Sequence, residues 1–461
     1  MIAIRKVLWG LVLFLWLAPP VLGAVYLFFP TIPGCPGITW STRDAIMVLL
    51  LIGCFWMLGS FWTIWLRKNK AITAPNQLAR RAVLGFAVCL LVGIAGIVYG
   101  GSEVYNKLAP VLERQDYIAQ DHAQTIYESQ NYNAFPKVLR LLNGSLWCVW
   151  YQGNWHVDTN NDGELVQSCS PDNGTTWTAP RVIADDPSYD TRNPAVGQLA
   201  NGTLLLAYLL YDAISTRAIE AASIQSDDGG ISWSQARPIT ASQFNPANET
   251  KYQWLSPFGN MFSMNGHYVA AFYGGLNSST GEAGNAVILL QYHPANHTWQ
   301  YYATPMADGY RGYNEASIQW TGDRWLCIAR TSENRLYHAF SLDGIAWSPA
   351  SGTTYTLGHA PDMVVLNTSS SITSMFCVYR GDNGFLRGGL ARYNATANTF
   401  WCEHAILYAA KGRGGGDFGY ASAVRFSSAS VGFVNYDVIV CGDRGGPETR
   451  GRILWQIWKP S

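Results

Sequence analysis

The chain has 461 residues, with 31 Lys+Arg balancing 31 Asp+Glu for a formal net charge of zero. Charged residues make up only 13% and apolar ones 48%, against roughly 25% charged in an average soluble protein; this excludes a disordered chain and an all-helical soluble one. The neutral balance, with no Lys/Arg run, also argues against nucleic-acid binding, which needs a basic surface.

The N-terminal region reads as a membrane unit. Residues 7–29, 45–66 and 82–100 are each free of charge and each reaches the roughly 20 residues a helix needs to cross a hydrocarbon core. Arg5 and Lys6 precede the first stretch, as in a cleaved signal peptide, but its length and the two spans that follow favour three transmembrane helices. The loop 67–81 holds Arg67, Lys68, Lys70, Arg80 and Arg81 without an acid, whereas 30–44 has only Arg43 and Asp44. By the positive-inside rule the N-terminus and loop 67–81 are cytoplasmic, and everything beyond the third span is extracytoplasmic. Residues 1–102 thus form a multi-pass anchor with 8 basic and 1 acidic residue, and residues 103–461 carry 23 basic and 30 acidic ones. Residues 103–132 are polar and read as a stalk with some helix.

From residue 133 to 461 the texture becomes strand-like. VLRLLNGSLWCVWY (138–151), AVGQLANGTLLLAYLL (195–210) and FSMNGHYVAAFYG (262–274) each place Asn-Gly between two apolar runs, the strongest short-range hairpin signal. IQWTGDRWLCIAR (318–330) does the same with Thr-Gly-Asp. The turn glycines Gly144, Gly202, Gly266 and Gly322 are 58, 64 and 56 residues apart. Short antiparallel strands repeating at such a period predict a β-propeller. Two further units near 361–401 and 420–458 bring the expected blade count to six. The predicted fold is an all-β six-bladed propeller preceded by three transmembrane helices.

A second repeat keeps time with the first. Ser170, Asp172, Gly174 and Trp177 recur as Ser226, Asp228, Gly230 and Trp233, then in shortened form as Ser341, Asp343, Gly344 and Trp347; YHPANHTW (292–299) reads as an eroded copy. Asp and Ser side chains fold such turns onto their own backbone and Gly supplies positive φ, so these boxes are expected to be structural. Repeated Ser-x-Asp-x-Gly-x-Ser/Thr-Trp turns in a six-bladed propeller resemble the sialidase (exo-α-neuraminidase) superfamily, over about residues 133–458.

The resemblance implies a site and a mechanism. Sialidases release a sugar whose carboxylate sits on the anomeric carbon. Clustered Arg residues grip that carboxylate through bidentate forks. A neutral Tyr activated by Glu replaces the carboxylate nucleophile that the substrate's own charge would repel, and a loop Asp protonates the leaving oxygen. Asn314-Glu315-Ala-Ser-Ile with Cys327-Ile-Ala-Arg330 is similar to the family's Glu-Pro-Ser…Arg strand pair. Arg380 ends the equivalent strand of the next blade, and Tyr420-Ala-Ser-Ala-Val424 is similar to the nucleophile strand. The resemblance therefore implies Tyr420 as nucleophile, Glu315 as its base, and Arg330 and Arg380 as the carboxylate clamp. Blade one departs from the pattern: Ala134-Phe135-Pro136 stands where the family has Arg-Ile-Pro. Arg192, in Arg192-Asn193-Pro194, is the candidate third arm, with Arg140 a poorer one. Asp158 best fits the spacing of the acid, and Asp162 is the alternative.

The implied activity is a membrane-anchored, retaining exo-sialidase-like hydrolase acting on sialylated or other anionic glycans, without cofactor or metal. The alternative is a non-catalytic or weakly active glycan-binding propeller at the membrane surface, which the Ala134 departure favours. Nine cysteines without a Cys-x-x-Cys do not form a metal site, and an extracytoplasmic domain permits disulfides whose pairing the sequence leaves open.

Overall fold

The computed structural model describes residues 123–156, 160–241, 253–275, 284–353, 358–369, 371–381, 385–402, 405–409, 419–441 and 448–459, all within the compact unit Glu113–Ser461. The three expected spans and most of the expected stalk lie outside them, as does Asp158. Among the described residues no helix is long and apolar enough to cross a membrane.

The described residues are all-β, with twenty-five strands arranged in five sheets. The first sheet takes Tyr132–Arg140, Leu146–Gly153, Glu164–Ser170 and Arg181–Asp185 in chain order, each antiparallel to the next. The same meander recurs along the chain. The eight-stranded sheet holds two of them, opening at Asp190–Gln198 and Trp254–Met264, joined where Gly259 and Asn260 run parallel to Ala195 and Val196. The last sheet pairs Ser422–Ser427, Ser430–Cys441 and Glu448–Trp458 with Gln124–Ser129, a strand drawn from the stretch read as stalk. The opening strands of the meanders lie against one another in a closed circuit. It runs from Tyr132–Arg140 through Asp190–Gln198, Trp254–Met264, Asn314–Trp320 and His359–Thr368 to Ser422–Ser427 and back. The architecture is propeller-like.

Second strands such as Leu146–Gly153 are buried at almost every position rather than at alternate ones. A strand with a sheet against each face has no solvent side, which is why Trp147, Trp150 and Tyr151 are all fully enclosed. The Asn-Gly turns are also less uniform than their sequence suggests. Asn265 and Gly266 both take positive φ (53° and 82°) in a two-residue turn between Met264 and His267. At Gly144 and Gly202 only the glycine does so, one residue later in a longer turn closed by Gly144 N–H to Leu141 O (2.8 Å) and Gly202 N–H to Leu199 O (2.9 Å).

The boxes fold as expected. Ser170 Oγ donates to Asp172 Oδ1 (2.9 Å), Gly174 N–H donates to Ser170 Oγ (2.7 Å) and Thr176 N–H to Asp172 Oδ1 (2.8 Å). Ser226–Asp228 and Ser341–Asp343 repeat the pattern at 2.7 and 3.0 Å. Each box also reaches a neighbouring meander. Gly174 packs on Trp455 of the closing sheet, Gln167 Nε2 donates to Gly230 O (2.9 Å), and Asn265 Nδ2 donates to Asp343 O (2.6 Å). The eroded copy still makes such a bridge, since Trp299 Nε1 donates to Ser223 Oγ at 3.0 Å. In the first sheet Arg140 pairs with Leu146 and Leu146 with Ser170, so the box lies at the end of the sheet opposite Ala134. Cys148, Cys169, Cys327, Cys377 and Cys402 are free thiols.

Candidate active site

Opening strands carry a bulge near their start. The register slips between Ala134 and Lys137, between Arg192 and Ala195, and between His359 and Asp362. The residue inside each slip has positive φ: Phe135 (53°), Asn193 (55°) and Ala360 (45°). A proline follows each, and proline, lacking an N–H, is tolerated in a strand at such an unpaired position. Bulges re-aim side chains at sheet rims, and here they turn several residues toward the middle of the circuit. Asn314–Trp320 slips likewise, between Asn314 and Ala316, at Glu315.

Glu315 is buried (3% exposed). Tyr420 Oη donates to its Oε1 at 3.0 Å. Arg330, also buried, grips the same carboxylate with both Nε and Nη2, the latter 3.3 Å from Oε1. Asn314 pairs with Arg330 across the two strands, so one hairpin supplies carboxylate and cation together. Arg380 stands over the Tyr420 ring, its guanidinium 5.9 Å from the centroid. Gly419 permits this: its φ is +101°, and a Cβ there would lie 3.0 Å from the Arg380 stem. Phe135 meets the Tyr420 ring edge-on at 5.0 Å, and Phe258 does so at 6.3 Å.

Burial and the adjacent Glu315 carboxylate hold the Tyr420 phenol well above its usual range, outweighing the opposite pull of Arg330 and Arg380. Desolvation and a like charge both disfavour the phenolate. Tyr420 is therefore a neutral hydrogen-bond donor at neutral pH, and it reacts as an oxygen nucleophile only if Glu315 takes its proton.

Four of the sequence-predicted residues thus come together: Tyr420, Glu315, Arg330 and Arg380. Arg192 has partners of its own. It is ion-paired with buried Asp190, donates to His156 O (3.1 Å) and lies over the rings of Tyr211 (4.2 Å) and Tyr151 (5.3 Å). The His156 that it holds has its ring 5.2 Å from Phe135. Ala134 is fully buried and offers the clamp nothing. Arg140 points away, over Phe426 at 5.4 Å. Asp162 is exposed and accepts from the side chain of Asn154 across its own loop.

Two residues of this centre went unnoticed in the sequence. Lys137 is buried (1% exposed), its Nζ 3.6 Å from the Phe258 ring centroid. Asp362 is buried as well, accepting from Ser317 Oγ (2.8 Å), Met363 N–H (2.9 Å) and Ala423 N–H (2.9 Å). The available signal was a Pro-charge pair, Pro136-Lys137 and Pro361-Asp362, inside otherwise apolar strands.

Fold and centre together define an all-β, propeller-like protein with a Tyr–Glu–Arg cluster inside its ring of opening strands. The chain belongs to the family described as the BNR repeat-like domain, whose model matches residues 144–432. A sialidase from Bacteroides fragilis is 34% identical over 91 residues, a match covering 18% of this chain and only 16% of that relative. Among solved structures, a protein of unknown function from Dyadobacter fermentans superposes with a TM-score of 0.55 at 22% identity, covering 72% of this chain and 99% of that one. A leech intramolecular trans-sialidase gives a TM-score of 0.56 at 12% identity, over 73% of this chain and 70% of that one. The Streptococcus pneumoniae sialidase NanB gives 0.54 at 11%, over the same shares. These likenesses establish a sialidase-like fold.

Proposed function

We propose that this chain is a membrane-anchored exo-sialidase-like glycoside hydrolase that releases a terminal sialic or related nonulosonic acid from glycoconjugates. The observation that carries the reading is the 3.0 Å hydrogen bond from the Tyr420 phenol to a Glu315 carboxylate already held by Arg330. Binding a sugar needs no phenol aimed at a buried base, whereas a covalent mechanism does. Tyr420 attacks the anomeric carbon as Glu315 takes its proton, and an acid from the loop after Gly153, Asp158 on spacing, protonates the departing oxygen. Water then cleaves the tyrosyl–sugar bond by the reverse sequence, so configuration is retained. Arg380, with Arg330 behind the phenol, grips the sugar carboxylate. The closed circuit of opening strands supports reading the propeller as six-bladed. The three apolar stretches before residue 102 support a multi-pass anchor with the propeller outside the cytoplasm.

Buried Ala134 favours the second reading, a propeller that binds anionic glycans with little or no turnover. Loss of one charged hydrogen-bond pair weakens a clamp by about 1.5–3 kcal/mol. Incubating the full-length chain, in detergent or nanodiscs, with a fluorogenic sialoside separates the two. Dye release that Tyr420→Phe abolishes, with retained configuration in the first product, supports the hydrolase. Sialic-acid binding without release supports the binding module.

A further inference from the structure

The loop between Gln152 and Glu164 closes a hairpin of the first sheet. Both of its ends are glycines pressed on the Tyr151 ring. A Cβ at Gly153 would lie 2.4 Å from Tyr151 Oη, and one at Gly163 would lie 2.3 Å from its Cε2. Beside that ring stands Asp190, fully buried at the start of Asp190–Gln198. Its Oδ1 accepts from Gly163 N–H at 2.7 Å, and the next residue, Thr191, donates its N–H to Gly163 O at 2.8 Å. Asp190 Oδ2 is ion-paired with Arg192 and lies 3.4 Å from Tyr151 Oη. Both of these partners reach the other arm of the loop. Arg192 Nη1 donates to His156 O (3.1 Å), and Tyr151 Oη is 3.4 Å from Trp155 O. A buried charge is costly unless it is paired and hydrogen-bonded, and each of these bonds of Asp190 goes to the loop or to a residue that holds it. The arm held through His156 lies against the wall of the Tyr420 centre. Its ring stacks on Tyr132 at 5.9 Å and meets Phe135 at 5.2 Å, and Phe135 meets Tyr420.

We propose that Asp190 is a positioning residue: it ties the two arms of this loop together beside the Tyr420 centre and so sets where the loop delivers a proton to the departing oxygen. The inference rests on the hydrolase reading for the proton transfer but not for the fastening of the loop. In the first step the Tyr420 oxygen bonds to the anomeric carbon as its proton passes to Glu315. The bond from that carbon to the aglycone oxygen breaks, and the oxygen leaves with a proton from the loop. A general acid works only within hydrogen-bond reach of that oxygen. Departure of a poor leaving group therefore feels the loop, whereas a leaving group that is stable as an anion does not.

Two measurements on the full-length chain, in detergent or nanodiscs, test this. Hydrogen–deuterium exchange read by mass spectrometry should quicken across residues 153–163 in Asp190→Asn and keep its wild-type rate at the box Ser341–Trp347. In steady-state hydrolysis, Asp190→Asn should lower kcat/KM by about ten- to a hundredfold for methyl α-sialoside, the usual result of misplacing a catalytic group. For para-nitrophenyl α-sialoside, whose phenolate departs without a proton, the loss should be at most about threefold. Tyr151→Phe drops the hydroxyl between Asp190 and Trp155 and should give the same selective loss on a smaller scale. It carries the test if Asp190→Asn does not fold. Exchange unchanged across residues 153–163 overturns the proposal. So does an equal loss for the two sialosides, which is the result expected if Arg192 is an arm of the carboxylate clamp or if the fold is merely loosened. If exchange quickens but the wild type cleaves neither sialoside, the fastening stands and the hydrolase reading falls.

Discussion

Tyr420 and Glu315 are 105 residues apart and meet through a 3.0 Å hydrogen bond in which the phenol is the donor. The direction matters. Burial and the carboxylate keep the proton on Tyr420, so the pair rests as a neutral phenol donating to a carboxylate.

Removing either partner should stop turnover without emptying the pocket. Tyr420→Phe and Glu315→Gln are each expected to lower kcat by on the order of 10²–10⁴-fold, the usual worth of a positioned proton acceptor. Sialic-acid affinity, measured calorimetrically, should change little. An equal loss of affinity and turnover would make both residues binding groups.

Arg380 should separate from that pair. It lies over the Tyr420 ring, whereas Arg330 is bound to Glu315. Arg380→Met is expected to cost about 1.5–3 kcal/mol of charged hydrogen bonding, roughly ten- to a hundredfold in KM for an acidic sugar. The penalty should vanish for an analogue lacking the carboxylate.

Gly174→Ala should damage stability and spare chemistry. Its φ is +90° and a Cβ would enter the Trp455 indole, at the end of the sheet away from Ala134. Overpacking of this kind costs about 1–3 kcal/mol, read as a lower melting temperature. Catalytic constants below melting should match the wild type.

Lys137 gives a signed pH effect on stability. In the folded chain burial brings it down to about 8, whereas an unfolded lysine titrates near 10.4, roughly its free value. Between these limits the unfolded chain binds a proton that the folded chain does not, so stability contributed at this site rises with pH from about 8 to about 10. The melting temperature of the wild type relative to Lys137→Met should climb over that window. A flat or falling difference contradicts the assignment.

Much of this was legible in the chain itself. Asp172, Asp228 and Asp343 announce their turns because each turn is local, closed by bonds over two to four residues. Glu315, Arg330, Arg380 and Tyr420 were found through repeat order. Lys137 and Asp362 were not, since a charge in an apolar strand is uninformative until the strands facing it are known. Arg192 has a partner that its motif does not announce: Asp190, two residues earlier, is ion-paired with it. The Gln124–Ser129 strand reads as polar stalk because it is an outer strand, exposed or half-buried at every position.

The pairing of Gln124–Ser129 with Glu448–Trp458 carries a consequence for how the molecule is made. Asn133 Nδ2 bonds Gly451 O across 318 residues, and Phe135 touches Tyr420. Contacts at such separation form late and slowly, because loop-closure entropy must be overcome before they reward the chain. The Tyr420–Glu315 cluster therefore cannot exist on a partly synthesised propeller: Tyr420 arrives only when the closing sheet does. Assembly of this centre is an index of completed folding, and a substitution that delays closure, such as one at Trp455, will register first as its slow appearance.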